Sequence, residues 1–283
     1  MYRKRVLHLG RIFLVMCLAM LLLPAVVYAQ APAGLAGTGY SVGDTAYDFT
    51  GPDENMTPVS LYQDYGRYTI LAYDAAWCSP SHANATYLST AVSDLAAEGI
   101  PVNALTVLID SYDQEEETPS TQADATSWFN TFKLSPVIHM NGAYDQTIFD
   151  QFLAYSVPNG GAPKGAFPTL VILNPHMEIV KVQVGLMYSD QFEQVILDDL
   201  KSNLVELKSM VEGMDLKPSL TNSLSAKVDD AIKALEGSDY EQVNYDMVDF
   251  MTFVTNKTGK GITTEQAAIL ANQVDLIQAG LVY

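Results

Sequence analysis

Cysteine is nearly missing from this chain. Two occur in 283 residues, Cys17 and Cys78. Cys17 lies inside an apolar N-terminal run, so the remainder has a single thiol and can form no internal disulfide. Anything Cys78 does as a thiol therefore involves a second molecule. Positive charge is also scarce, with 15 Lys and Arg against 33 Asp and Glu and a formal charge of −18. Such a surface disfavours nucleic acid and acidic lipid as partners, because the phosphate contacts that dominate such binding need Lys and Arg. Basic partners are left open. Low-complexity sequence is confined to a short Ala/Gly/Pro-containing linker at 30–39.

Residues 1–29 read as a targeting segment. Arg3, Lys4, Arg5 and Arg11 form a basic start, 12–28 is almost wholly apolar, and Val27-Tyr28-Ala29 offers a cleavage site. The apolar run falls slightly short of the roughly 20 residues of a membrane span. A signal peptide is expected, with an uncleaved anchor through 12–28 as the alternative, and both place the protein outside the cytoplasm. Met16 stands before Cys17 where lipid attachment wants a small residue. Cleavage would take the charge from −18 to about −22 and leave about 250 residues, enough for one large domain or two modest ones. Exported proteins often use paired cysteines as staples, and this one has none. A lone thiol in an oxidising setting is either buried or used.

Strand and helix patterns alternate from Tyr40 to Glu206. Thr69 to Ala75 reads as a buried strand, and Tyr68 to Tyr73 is short and rich in β-branched and aromatic residues, which suits a central strand. Ala76-Trp77-Cys78-Ser79-Pro80-Ser81 follows at once. Ala83 to Glu98 reads as a helix stopped by Gly99, and Val102 to Ile109 as a second buried strand ending at Asp110. An acidic loop, Asp113 to Glu117, precedes helices near 123–132 and 145–156 and a glycine-rich loop at 158–165. Ala166-Phe167-Pro168-Thr169 then opens the apolar run Leu170 to Leu173, and the Asn174-Pro175-His176-Met177 turn leads into Glu178 to Val184. Proline at the first residue of a strand costs no ladder bond.

A Trp-Cys-x-x-Cys turn between strand and helix is a redox signature, and here Ser81 stands at its second cysteine. With the opening phrases Val42-Gly43-Asp44 to Phe49 and Val59-Ser60-Leu61, the order of motifs resembles the TlpA/ResA-type branch of the thioredoxin superfamily over 40–206. The resemblance implies an α/β thioredoxin-like sandwich, a central mixed sheet flanked by helices. It also implies a cis Phe167–Pro168 bond facing the cysteine, and an extracytoplasmic thiol–disulfide oxidoreductase that needs no cofactor. Its site would comprise Cys78, Ser81 and Pro168, with Trp77, Phe167 and Thr169 contacting substrate. Two further departures stand out. Asp74 occupies an aromatic position of the family, and Ala72 the position of the buried acid that assists proton transfer in thioredoxin.

A cysteine at the first turn of a helix meets unpaired N–H groups and the positive end of the dipole, a setting that favours the thiolate. Ser79 and Ser81 are candidate hydrogen-bond donors to it. Without a second thiol, attack on a disulfide leaves a mixed disulfide that only an external thiol resolves. That suits isomerisation, deglutathionylation or holding of a client, with protein or small-molecule thiols and disulfides as partners. The alternative is a redox-inactive thioredoxin fold kept as a binding or adaptor module. His82, four residues after Cys78, reads either as a surface residue or as a base on the same helix face. Cys78 with His82, and His139 in addition, would suit copper by ligand type, but the second sulfur is absent and no metal site is expected. His176 reads as solvated. Peroxidase chemistry lacks its Pro and Thr before Cys78, and the acidic loop lacks calcium-loop spacing.

After Glu206 the pattern changes to three helical stripes. Leu220 to Leu235 stops at Gly237, Tyr240 to Val254 ends before Gly259, and Ala267 to Leu281 opens on a Thr263-x-x-Gln266 capping box. Short turns join them, so a small antiparallel bundle is expected over 216–283. This segment resembles a helical module found at the C-terminal ends of exported bacterial proteins, and its expected role is accessory.

Overall fold

The computed structural model describes residues 31–112, 118–156 and 165–281. The leader, the acidic loop and most of the glycine-rich loop lie outside the described residues. A small hairpin, β1 (Thr50–Pro52) with β2 (Pro58–Ser60), precedes the central strand β3 (Tyr68–Ala75). Next come α1 (Ser79–Ala97), β4 (Val102–Asp110), α2 (Gln122–Phe132), β5 (Val137–His139) and α3 (Gln146–Ser156). The hairpin β6 (Thr169–Leu173) and β7 (Ile179–Val184) leads into a 25-residue helix, α4 (Ser189–Gly213). Three more helices close the chain: α5 (Pro218–Glu236), α6 (Tyr240–Lys257) and α7 (Thr264–Ala279).

The five-stranded sheet has the order β5-β4-β3-β6-β7. Strands β3, β4 and β5 are parallel, while β6 and β7 run antiparallel to their neighbours. Every residue of β3 is buried, as a strand covered on both faces requires. The period-2 alternation then sorts side chains between two cores. Ile70, Ala72, Leu108, Leu170 and Ile172 face α1, α2 and α4. Leu71, Tyr73, Val107, Val171 and Leu173 face α3 and the segment before β3. This strand order and helix placement make the fold a thioredoxin-like α/β sandwich followed by C-terminal helices. Phe167–Pro168 is cis, and so is Ser135–Pro136, for which the sequence carried no signal.

The C-terminal helices differ from the expectation in one respect. The bundle has four members, because α4 closes the sandwich and also packs against α5 and α7. Phe192, Ile196 and Leu200 lie toward its start, Leu204, Leu207 and Val211 toward its end, and all belong to one continuous core that includes both sheet and bundle residues. The expected caps are present. The Thr263 side chain accepts from the Gln266 N–H while the Gln266 side chain accepts from the Thr263 N–H, and α5 stops at Gly237. No helix among the described residues is long and apolar enough to cross a membrane.

Candidate functional site

Cys78 is the N-cap of α1, with an extended backbone (φ −84°, ψ 112°) and no capping side chain. Pro80 follows within the first turn, where its missing N–H removes a donor that would have no partner in the helix. The turn is held by backbone bonds. The Cys78 N–H donates to the Ala75 carbonyl at 3.0 Å, and the Cys78 carbonyl accepts from the His82 N–H at 3.2 Å. The thiol lies 3.8 Å from the Phe167 carbonyl oxygen, the peptide preceding Pro168, and is 5% exposed. The two expected landmarks, distant in sequence, therefore meet.

Trp77 stands out from the turn, 41% exposed. Its indole N–H reaches Asp110 at 3.4 Å, and its ring stands edge-on to Phe167 with centroids 6.2 Å apart. Phe167 in turn stacks on Phe152 at 4.7 Å. Asp110 also accepts from the Tyr144 hydroxyl at 2.7 Å, and its carbonyl accepts from the Ala76 N–H at 2.9 Å. Trp77 and the Cys78 turn are thus anchored to the end of β4. On the other side of the fold's mouth, the Gly185 N–H donates to the Pro168 carbonyl, and the Met187 N–H donates to Asn84 of α1. Tyr188 packs on Tyr87 at 5.0 Å. Exposed Trp77, Tyr112, Leu186 and Tyr188 give these loops an apolar surface.

Several expected site residues lie differently. Ser81 is fully buried, and its hydroxyl is the acceptor of the Ala75 N–H at 3.5 Å. It sits beneath the helix instead of facing a groove. Thr169 is also fully buried, its hydroxyl donating to the Ala166 carbonyl at 2.6 Å, so its side chain is not offered to a ligand. His82 is neither a plain surface residue nor a base aimed at Cys78. Its Nε2 bonds the Ala76 carbonyl at 2.7 Å, and its ring sits edge-on to Trp128, Phe132 and Tyr112. His139 is buried in β5 with Nδ1 accepting from the Asn141 N–H, and burial pushes its pKa down. Among the described residues no group of three or more His, Cys, Asp or Glu could hold a metal. His176 is not simply solvated either. It stacks on Tyr65 at 5.5 Å and lies 3.7 Å from Asp275 of α7.

Asp74, the acid at an aromatic position of the resembled family, lies at the end of β3 just before this turn. A register shift between Asp74 and Ala75 sets Ala75 opposite Asp110 instead of Ile109. Bulges of this kind often re-aim a side chain beside a functional site. Asp74 is almost fully buried, and neither carboxylate oxygen has a hydrogen-bond partner. Burial pushes its pKa up to about 7, and the Ser81 hydroxyl is the group that opposes the rise. The available signal was a single acid within the otherwise apolar run Ile70 to Ala76.

No family profile matches the chain, and no curated protein matches it. Solved structures do resemble it. The thioredoxin domain of a thiol-disulfide oxidoreductase from Bacteroides vulgatus is 19% identical with a TM-score of 0.41, covering 56% of this chain and 97% of that one. A thioredoxin family thiol:disulfide interchange protein from Chlorobium tepidum TLS is 16% identical with a TM-score of 0.38, covering 57% and 96%. StoA from Bacillus subtilis is 19% identical with a TM-score of 0.37, covering 52% and 95%.

Proposed function

We propose that this is an extracytoplasmic protein that carries out thiol–disulfide exchange through Cys78 by a monothiol route. The observation that carries the reading is the meeting of Cys78, at the N-cap of α1, with the Phe167 carbonyl before Pro168, beside the exposed Trp77. The export half rests on the composition of residues 1–29.

The chemistry balances without a cofactor. Cys78 loses its proton, and the thiolate attacks one sulfur of a substrate disulfide. A new S–S bond forms to Cys78 as the old one breaks and the other sulfur leaves as a thiolate. With no second cysteine past the leader, the mixed disulfide persists until a thiol of the substrate or of a small molecule attacks it. Cys78 is then regenerated, and no net electrons remain on the protein. The products are a rearranged disulfide or a deglutathionylated client. In this reading Pro168 and Phe167 shape the groove and Trp77 covers one side of it. Ser81 occupies the resolving position without a sulfur, and Thr169 holds the Ala166–Pro168 turn in shape through its bond to Ala166.

A second reading, a redox-inactive binding module, is favoured by one observation. The thiol is 5% exposed and sits against the Phe167 carbonyl. Incubation of the leaderless protein with oxidised glutathione across pH 5 to 9, read by intact mass, separates the two. Formation of a glutathione adduct on Cys78, released by added thiol, supports exchange chemistry. A thiol that stays free throughout that range supports the binding module.

A further inference from the structure

His139, the last residue of β5, is 1% exposed, and its two ring nitrogens are not equivalent. Nδ1 accepts from the Asn141 N–H at 3.0 Å, so in the neutral ring the proton sits on Nε2. Nε2 is buried and has no hydrogen-bond partner. The groups that favour a charge on this ring come from two elements packed against it. They are the backbone and carboxylate of Asp53 and the carboxylate of Glu54, in the β1–β2 connection, and Asp124 in the first turn of α2. All three acids are buried and already hold other groups. Asp53 accepts from the Asn55 and Thr57 N–H groups, Glu54 from the Ser135 hydroxyl and the Val137 N–H, and Asp124 from Thr121. Among the described residues no cation acts on the ring.

The residue that His139 holds is in an unusual conformation. Asn141 has φ 53°, uncommon outside glycine, and Gly142 follows at φ 78°. Ser120 pins the turn from its other side, its hydroxyl accepting from the Met140 N–H and its carbonyl from the Gly142 N–H. The turn delivers Tyr144, whose hydroxyl donates to Asp110 at 2.7 Å. Asp110 accepts the Trp77 indole N–H, and its carbonyl accepts the Ala76 N–H, directly before Cys78. A run of hydrogen bonds thus leads from the imidazole to the thiol turn.

We propose that His139 is a proton-operated latch on the Cys78 turn: protonation at Nδ1 releases the Asn141 N–H, loosens residues 140–143, and with them the hold of Tyr144 and Asp110 on Trp77. In the imidazolium both ring nitrogens carry hydrogen. Whichever way the ring turns, the Asn141 N–H then meets a donor, and a buried N–H without an acceptor is costly. The turn has to move to find another partner. Solvent supplies the proton and takes it back as pH rises, and no bond but the N–H bond is made or broken. Burial pushes the His139 pKa below its ordinary 6.5, against the opposing pull of Asp53, Asp124 and Glu54, so the latch is closed at neutral pH and opens in acid. Release of Trp77 uncovers the Cys78 thiol, which is 5% exposed in the closed form. The latch itself needs no reactivity from Cys78, while its effect on exchange rests on the reading of Cys78 as a reactive thiol.

The test is a proton–nitrogen NMR titration of the leaderless protein from about pH 8 to about pH 4.5, a range that brackets histidine protonation. The chain has two tryptophans and so two indole N–H signals, of which Trp77→Phe removes one and assigns it. The His139 ring nitrogens, the Asn141 amide and the Trp77 indole are expected to share one midpoint. His139→Asn puts an amide oxygen in place of Nδ1 and takes up no proton, so the Asn141 and Trp77 signals should lose that midpoint. Tyr144→Phe should keep it at His139 and Asn141 and lose it at Trp77. A Trp77 signal that ignores the His139 midpoint, or keeps it in His139→Asn, overturns the proposal. Should His139→Asn fail to fold, Tyr144→Phe decides, and a Trp77 midpoint that survives in it overturns the proposal equally. Reaction of Cys78 with 4,4′-dithiodipyridine, a disulfide that stays reactive in acid, is followed alongside. Relative to His139→Asn, or to Tyr144→Phe in its place, the rate should rise about 10-fold below the midpoint. A thiol that reacts without that rise counts against the latch. A thiol inert at every pH, with the shared midpoint intact, sinks exchange chemistry and leaves the latch in place. Adduct formation with no shared midpoint does the reverse.

Discussion

The Tyr68 hydroxyl, at the start of the central strand, donates to Asp199 of α4 at 2.8 Å. Asp199 also accepts from Asn203, and Gln273 of α7 donates to the Asn203 carbonyl and side chain. A buried polar chain thus runs from the sheet through the shared helix into the bundle. Tyr240 of α6 adds a second tie, its hydroxyl donating to Glu98 at the end of α1. These bonds specify how the two parts sit together, while the surrounding leucines and valines supply the burial.

Replacing Tyr68 by Phe removes one hydrogen bond from a carboxylate that is already held up in pKa by burial. A bond to a charged group is worth about 1.5–3 kcal/mol. Tyr68→Phe should therefore lower unfolding free energy by about 2 kcal/mol in a urea titration. An effect within a few tenths of a kcal/mol would mean that the Asn203 bond alone suffices.

Gly280, at the end of α7, touches the ring of Tyr68. A Cβ there would come within 2.7 Å of a ring carbon of a fully buried side chain that has no room to move. Gly280→Ala should cost about 1–3 kcal/mol through overpacking. Gly213, whose added Cβ would meet nothing within 4 Å, is the control. Its alanine variant should be neutral or slightly stabilising.

Cutting the chain after residue 213 would strip α5 and α7 from α4 and bare Leu204, Leu207 and Val211. The fragment 30–213 should aggregate or unfold without a sharp transition by circular dichroism. A cooperative melt like that of the full chain would instead make the sandwich an independent unit.

Much of this architecture was legible because it is written in local runs and periods. The short apolar runs of β3, β4 and β6 and the stripes of α5, α6 and α7 are local patterns, and caps such as Thr263 and Gly237 mark the helix ends. Cys78 and Phe167 could be paired in advance only through resemblance, since 88 residues separate them. Side-chain direction was not legible. Whether Ser81 faces the groove or the core depends on how α1 sits on the sheet, and so does the caging of His82 by Trp128, Phe132 and Tyr112. The double service of α4 was hidden for a related reason. Its stripe from Phe192 to Val211 reads the same whether it covers one partner or two.

The Asp74 carboxyl also makes a prediction about stability. Its folded pKa, about 7, lies above its ordinary value of 3.8, so between those values the folded state binds more protons than the unfolded one. Unfolding free energy then falls as pH rises from about 4 to 7, by a few kcal/mol. The contribution is complete below about pH 4 and gone above the folded pKa. Urea titrations at about pH 5.5 and pH 8, on either side of the folded pKa, should show the loss in the unsubstituted protein and a smaller one in Asp74→Asn. Asp64, raised to about 6 by burial, and Asp199, also raised by burial, act in the same direction and contribute to the slope that Asp74→Asn leaves behind, while His139, lowered by burial, opposes it.

Ser81→Cys tests whether the monothiol state is a matter of one atom. Residues three apart on a helix have Cα atoms roughly 5 Å apart, and disulfides form where Cα atoms are about 4.4–6.8 Å apart. Ser81 is fully buried, so a sulfur there replaces oxygen in a closed space next to Asp74 and the Ala75 N–H. The larger atom should be tolerated at a cost of about 1–3 kcal/mol. Mild oxidation of the leaderless variant should then close a bond between Cys78 and the introduced thiol, read as the loss of both free thiols with no gain of dimer. That bond should be opened again by a dithiol reductant, read as the return of both free thiols. Two thiols that stay free under oxidant would show that the buried position, and not the missing sulfur, is what keeps Cys78 single.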